Sequence, residues 1–318
     1  MNLKSMTKNV QRALARYALF FFAGLLKWVP FGAVRALATG STTIGFCFIV
    51  KQRRLARESL EIAFGREKTA SEIQSIIRRC FYNFGQGMME MLYFMAHPKE
   101  IAQFVSVEGQ EHLDQAVKQG RGVIAVTAHF GNFPLMMLYF AHQGYPTNAI
   151  IRPTRDKKLE EYLFRERHKH GIKTVYAIPR KECVVNSIKA LKNNEVLFIA
   201  LDQNFGSDGG VFVDFFGQKA ATAPGPVIFA KRTDAVILPM FIVRQSDHRH
   251  KIIIEPPFSL EMTGEEDQDI QINIGRITTL IEHYIRRYPY EWGWMHRRWK
   301  SKDPGDSSVV EEFSEKGF

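Results

Sequence analysis

Cysteine is nearly absent from this chain of 318 residues: Cys47, Cys80 and Cys183 are the only three. They stand far apart and form no Cys-x-x-Cys pair, which argues against a zinc site and a disulfide framework; a reducing compartment is expected. No apolar run reaches the roughly 20 residues that cross a bilayer unbroken. Residues 17–26 are apolar but stop at Lys27, and the stretch 36–50 stops at Lys51. No small-residue cleavage site follows the first stretch, so a cleaved signal peptide is not expected. Acidic residues are also scarce, 33 against 43 Lys and Arg, leaving a net charge of +10. Such an excess calls for an anionic partner. Nucleic acid fits poorly, because no helix-turn-helix, zinc-finger or RNP-like pattern is present and the basic residues are dispersed. There is no Gly-x-Ser-x-Gly elbow, which argues against a serine hydrolase, and no internal repeat or linker.

What is present favours a membrane surface. Phenylalanine is frequent (25 residues) and clusters near the N-terminus. Lys4, Lys8, Arg12 and Arg16 precede the first apolar stretch, and Lys51, Arg53 and Arg54 follow the second. Residues 1–50 are expected to anchor the chain to a membrane. They would do so as a tilted span with Lys27 reaching the interface or as a helical hairpin in one leaflet. A buried core helix is the plainer alternative. Basic flanks suit anionic headgroups, each Lys or Arg contributing on the order of 1 kcal/mol, and put the N-terminus on the cytoplasmic side.

Further along, helical and strand patterns alternate. Residues 53–64 and 71–95 carry apolar side chains at spacings of three and four and predict helices. Strands are expected at 104–107, 123–128, 147–151, 174–177, 196–201, 236–243 and 251–254. Helices are expected at 110–118, 134–142, 156–170, 183–192 and 270–287. This alternation predicts an α/β fold, a mostly parallel or mixed central sheet flanked by helices. Residues 51–300 form the main domain, and 301–318 a flexible tail.

Four blocks carry chemistry. The apolar run 123–128 ends at His129, followed by Phe130-Gly131-Asn132. Arg152 follows the run 147–151. Asp202 and Gln203 follow the run 196–201, with Phe215-Phe216-Gly217 and Ala221-Thr222-Ala223-Pro224-Gly225-Pro226 beyond. The last block runs Trp292-Gly293-Trp294-Met295-His296-Arg297-Arg298-Trp299-Lys300. Strand ends of a parallel sheet converge on one edge, so His129, Arg152 and Asp202 are expected to meet there. A histidine oriented by a carboxylate can deprotonate a hydroxyl, and an arginine beside it can grip a phosphate. Asn132, Arg152, Gln203, Thr222 and Arg297 are the candidate substrate contacts. Trp292, Trp294 and Trp299 suit an interface with one apolar and one wet side, and a structural role near the site, with some phosphate contact, is expected of this block. Asp202, Asp208 and Asp214 are too widely spaced for a calcium loop.

In this order and spacing the blocks resemble the bacterial lipid A biosynthesis acyltransferases, the late lauroyl and myristoyl transferases of the lysophospholipid acyltransferase superfamily. The resemblance covers roughly residues 10–300 and is most specific at 215–226 and 292–300. It implies a glycerolipid-acyltransferase-like domain over 51–300 that moves an acyl chain from acyl carrier protein or acyl-CoA to a hydroxyl of a membrane glycolipid. It implies no cofactor or metal, a place on the cytoplasmic face of the bacterial inner membrane, and His129 as the base. One position departs from the pattern. The family has His, four residues, then Asp or Glu, and here that place holds Pro134. Asp202 is the expected substitute carboxylate, and Glu90 the second choice. A non-catalytic lipid-binding or scaffold protein on the same fold is the alternative that Pro134 motivates.

Overall fold

A computed structural model describes residues 3–303. The expected tail thus lies almost wholly outside the described residues. Four helices come first: α1 (Leu3–Leu25), α2 (Phe31–Phe48), α3 (Val50–Phe64) and α4 (Ala70–Ala96). A 3-10 turn and the short helix α5 (Ile101–Phe104) lead into β1 (Val105–Glu108) and α6 (Gln110–Lys118). Then β2 (Val123–Thr127), α7 (Phe133–His142), β3 (Thr147–Ile151), α8 (Lys157–Lys169), β4 (Ile172–Tyr176), α9 (Arg180–Lys192) and β5 (Val196–Ala200) alternate. A hairpin of β6 (Val211–Phe215) and β7 (Gln218–Thr222) follows, then α10 (Gly225–Thr233), β8 (Val236–Arg244), β9 (His250–Ile254) and α11 (Glu266–Arg287).

Seven strands form one mixed sheet in the order β1-β9-β8-β2-β5-β3-β4. Strands β8, β2, β5, β3 and β4 run parallel, whereas β9 and β1 run the other way. The α/β expectation holds. The apolar runs of β2 and β5 are buried on both faces, as central parallel strands must be. The pleat sorts them into two cores. Ile124, Val126, Leu197 and Ile199 face the layer of α3, α10 and α11, whereas Val123, Ala125, Val196 and Phe198 face α6 and α7.

The helices begin where local chemistry allows. Thr69 and Glu72 form a reciprocal capping box on α4, which satisfies two otherwise orphaned backbone donors. Asp156 caps α8 through the Leu159 N–H. Pro134 sits in the first turn of α7, where a missing N–H costs nothing.

The first two helices pack onto the domain and leave an apolar face outside. In α2, Val34 and Ala38 are buried, and Thr39 and Tyr82 join their hydroxyls at 2.8 Å. Gly85 permits this approach, because a Cβ there would fall 2.0 Å from the Thr42 hydroxyl. Helix α1 is tied down by Arg16, 2.5 Å from Asp156, and by Phe20 against Tyr162. On its outer side Val10, Leu14, Tyr17 and Phe21 are each more than half exposed. Trp28 and Phe48 are 88% and 81% exposed. No single helix among the described residues is long and apolar enough to cross a membrane; α2 and α3 reach that length only together, bent by 85°.

Candidate active site

The C-terminal edge of the parallel strands brings His129 and Asp202 together. Thr127 of β2 lies opposite Ala200 of β5, and the Leu201 N–H donates to Thr127 O at 3.0 Å. Two residues further on each chain, the same register sets His129 against Asp202. Nδ1 of His129 is 2.9 Å from Asp202 Oδ1, and the same oxygen accepts the His129 backbone N–H at 2.9 Å. The other oxygen, Oδ2, accepts the Trp292 indole N–H at 2.8 Å. The carboxylate side chain is fully buried, whereas that of His129 is 30% exposed. Nε2 of His129 has no hydrogen-bond partner among the described residues.

The electrostatics follow from this arrangement. Burial alone would raise Asp202, yet the His129 charge and hydrogen bond outweigh it and hold the carboxylate well below its ordinary range. Burial would lower His129, but the Asp202 charge and hydrogen bond more than offset that, so the imidazole titrates above its usual value. A carboxylate that accepts on both oxygens holds the ring in one orientation with its proton on Nδ1, which leaves Nε2 free to accept a proton.

Two further features fix the histidine. Gly131 has φ +55°, and a Cβ there would lie 2.0 Å from Ile242 O of β8, so the backbone after His129 presses directly on the neighbouring strand. The segment before the last tryptophans runs alongside it. Gly131 N–H donates to Glu291 O at 2.8 Å, and Gly293 N–H donates to His129 O at 3.1 Å.

A sequence model of the family described as "Bacterial lipid A biosynthesis acyltransferase" matches residues 4–301. The chain belongs to that family. It is 27% identical to the lipid A biosynthesis palmitoleoyltransferase of Escherichia coli strain K12, over 92% of this chain and 95% of that one. It is 28% identical to the lipid A biosynthesis lauroyltransferase of the same organism, over 88% and 90%. A solved structure, the 1-acyl-sn-glycerophosphate acyltransferase PlsC from Thermotoga maritima, covers 74% of this chain and 97% of its own at 14% identity, with a TM-score of 0.37.

The remaining expected site residues of this acyltransferase are dispersed. Arg152 is exposed at the same sheet edge, beyond β3, and touches neither His129 nor Asp202. Gln203 is exposed, and among the described residues its one hydrogen bond is at the backbone carbonyl, which accepts from Arg298 at 3.3 Å. Thr222 is fully buried; its hydroxyl accepts from Arg298 at 2.5 Å, so it is an internal contact. Asn132 is also internal: it caps α7 through Leu135 and donates to Gly87 O of α4 at 3.2 Å. Arg297 is exposed. Its neighbour Arg298 is the buried one, donating to Ala221 O at 2.6 Å, and burial lowers its pKa to about 10. Glu90 does not approach His129. It binds Arg244 through both oxygens, at 2.5 and 2.7 Å, and lies 3.0 Å from His250.

The structural role expected of this block near the site holds, but the bond from Trp292 to Asp202 was not foreseen. Trp292 and Trp294 are fully buried and do not face a wet interface. Trp292 serves Asp202, and Trp294 donates to Pro289 O at 2.5 Å. His296 stacks edge-on against Trp292, with its ring nitrogens facing the carbonyls of Gly293 and Asp202. The density of tryptophan in 292–299 was the available signal; buried indoles need a hydrogen-bond acceptor, and an acidic residue at a strand end is a ready one.

Proposed function

We propose that this acyltransferase moves a fatty acyl chain from a thioester, on acyl carrier protein or coenzyme A, to a hydroxyl of a lipid A precursor, with His129 as general base. One observation carries the reading: Asp202 engages Nδ1 of His129 and leaves Nε2 open at the sheet edge. In the reaction Nε2 takes the acceptor's hydroxyl proton as the oxygen bonds to the thioester carbonyl carbon. The C–S bond then breaks, and the departing thiolate takes the proton back from the imidazolium. Asp202 stabilises that imidazolium while it exists.

The substrate class is supported by the relatives, which are lipid A palmitoleoyl- and lauroyltransferases. Membrane association at the cytoplasmic face is supported by the apolar stripe of α1 and by exposed Trp28 and Phe48, together with the excess of basic residues. Side chains of this kind insert into the headgroup boundary without a span. The basic end of α8, with Lys169 and its neighbours, suits an acidic carrier protein. Exposed Arg152 is in reach of an anionic group at the same edge. The contact between His129 and Asp202, two residues beyond β5, supports the catalytic reading over the scaffold one, since Asp202 can serve as the carboxylate that Pro134 does not supply.

The test is acyl transfer by purified His129→Ala with a labelled acyl donor and a lipid A precursor. Product should fall at least about 10²-fold, the range of lost general-base assistance. Equal product from wild type and variant removes His129 from the chemistry.

A further inference from the structure

On the β8 side of His129, away from Asp202, the sheet edge opens into a cavity of about 570 Å³ lined in part by Arg78, Arg79, Tyr82, Arg244, His248 and Glu291. Its charge is lopsided. Arg78 and Arg79 leave α4 side by side and exposed, and neither has an ion pair among the described residues. The Arg79 guanidinium lies 3.6 Å over the Tyr290 ring, a stacking that fixes the cation's place and leaves its N–H edge free. Arg244 gives both terminal nitrogens to Glu90, and its side chain is 8% exposed. Its Nε is buried with no hydrogen-bond partner among the described residues. Arg35 of α2, whose Nε is likewise unpartnered, is near enough to help depress the His248 titration, after burial.

The carboxyls nearby do not neutralise this set. Glu90 is taken by Arg244 and His250. Glu291 is buried, bound to the Asn83 amide at 3.1 Å, and burial pushes it up to about 7. Guanidinium groups held in a concave pocket, with spare N–H donors, are the usual recognition chemistry of phosphate.

The hollow adjoins the candidate base. Glu291 O accepts from Gly131, and Gly293 donates to His129, so one wall runs antiparallel to the His129 segment, two residues or about 7 Å along it. Tyr82 of its lining joins its hydroxyl to Thr39 of α2 at 2.8 Å, and Leu37, Ile44 and Phe48 on that helix are exposed apolar side chains.

We propose that this cavity binds a phosphate group carried by the acyl acceptor and so presents the acceptor's hydroxyl to His129. The proposal rests on the acyl-transfer reading above. It is tested with the full chain in detergent, using a phosphorylated lipid A precursor and the same precursor after phosphatase treatment. Arg78→Gln with Arg79→Gln should raise KM for the phosphorylated precursor at least about tenfold, two charge-assisted contacts being lost. KM for the acyl donor should stay within about twofold, and inorganic phosphate should compete with the acceptor. With the phosphatase-treated precursor, wild type and variant should behave alike. Unchanged KM for the phosphorylated precursor overturns the proposal, as does a rise confined to the acyl donor, which would assign the phosphate to the thioester carrier. Equilibrium binding of both precursors to His129→Ala separates the two readings: an intact phosphate preference there upholds the cavity even if His129 has no part in the chemistry.

Discussion

Replacing Asp202 with asparagine removes one charge and almost no volume. Oδ1 accepts two N–H groups of His129 and Oδ2 accepts one from Trp292, so all three partners are donors. An amide has one accepting oxygen. If that oxygen faces His129, the NH2 meets the indole N–H; if it turns, the NH2 meets Nδ1 and forces the ring proton onto Nε2, where no base remains. The lost electrostatic support can be sized. A carboxylate and an imidazolium about 4 Å apart at an effective dielectric of 20 attract by about 4 kcal/mol. At 1.36 kcal/mol per tenfold that is about a thousandfold in rate. His129 is 30% exposed, which screens part of it, so kcat should fall by about 10²- to 10³-fold. The pH profile gives a second readout. Asp202 raises the His129 titration against the lowering effect of burial; without it burial alone acts, and the acid limb of kcat/KM should move to lower pH. The assay is steady-state acyl transfer across pH 5–9, with thermal unfolding to confirm the fold. Near-normal turnover, or an unmoved acid limb in a folded variant, refutes the pairing.

Trp292→Phe keeps the ring and removes the donor to Oδ2; kcat should drop roughly tenfold and stability by about 1.5–3 kcal/mol, as for a hydrogen bond to a charged group, and unchanged turnover would show that Oδ2 needs no fixed partner. Trp28→Ser with Phe48→Ser, at 88% and 81% exposure, should weaken binding to anionic vesicles at least about tenfold in flotation, each ring being worth about 1.5–3 kcal/mol when buried in lipid; equal flotation places the membrane face elsewhere. Glu291 is raised by burial from 4.5 to about 7, so the folded chain keeps a proton that the unfolded chain has lost. Its contribution to stability therefore declines as pH rises through that window. Glu291→Gln should accordingly be more stable than wild type at pH 8 and not at pH 5, by on the order of 3 kcal/mol, which thermal unfolding reads as a raised Tm at pH 8 alone; equal Tm differences at both values would contradict the burial argument.

Most of the fold was legible because apolar runs and helical periods are local properties. His129 and Asp202 were legible as a pair for a related reason: each ends a buried run, and parallel strands align such ends. The hairpin of β6 and β7 was not. Its two-residue loop is Phe216-Gly217, with φ of 53° and 71°, a turn that sequence patterns associate with Asn-Gly or Asp-Gly. Phe216 holds that unfavourable conformation because its ring packs against Phe64 and Trp294 and its N–H donates to Glu282 at 2.6 Å. The choice between Arg297 and Arg298 was also illegible, since the segment has no repeating period to say which neighbour points inward. Asn132 looked like a site residue because it stands three positions from His129; its side chain was needed for a cap.

The Trp292 contact has a consequence in time. Asp202 and the indole that holds it are 90 residues apart, and translation runs at about 5–20 residues per second. For roughly 5–20 seconds, then, a nascent chain carries a strand-end carboxylate whose second oxygen has no protein donor. Helices α1 and α2, with their apolar stripe, are made first. The apolar outer faces of those helices therefore exist on the growing polypeptide well before the second oxygen of Asp202 can gain its donor, and the His129–Asp202 pair reaches its full set of hydrogen bonds only once the Trp292 segment has been made.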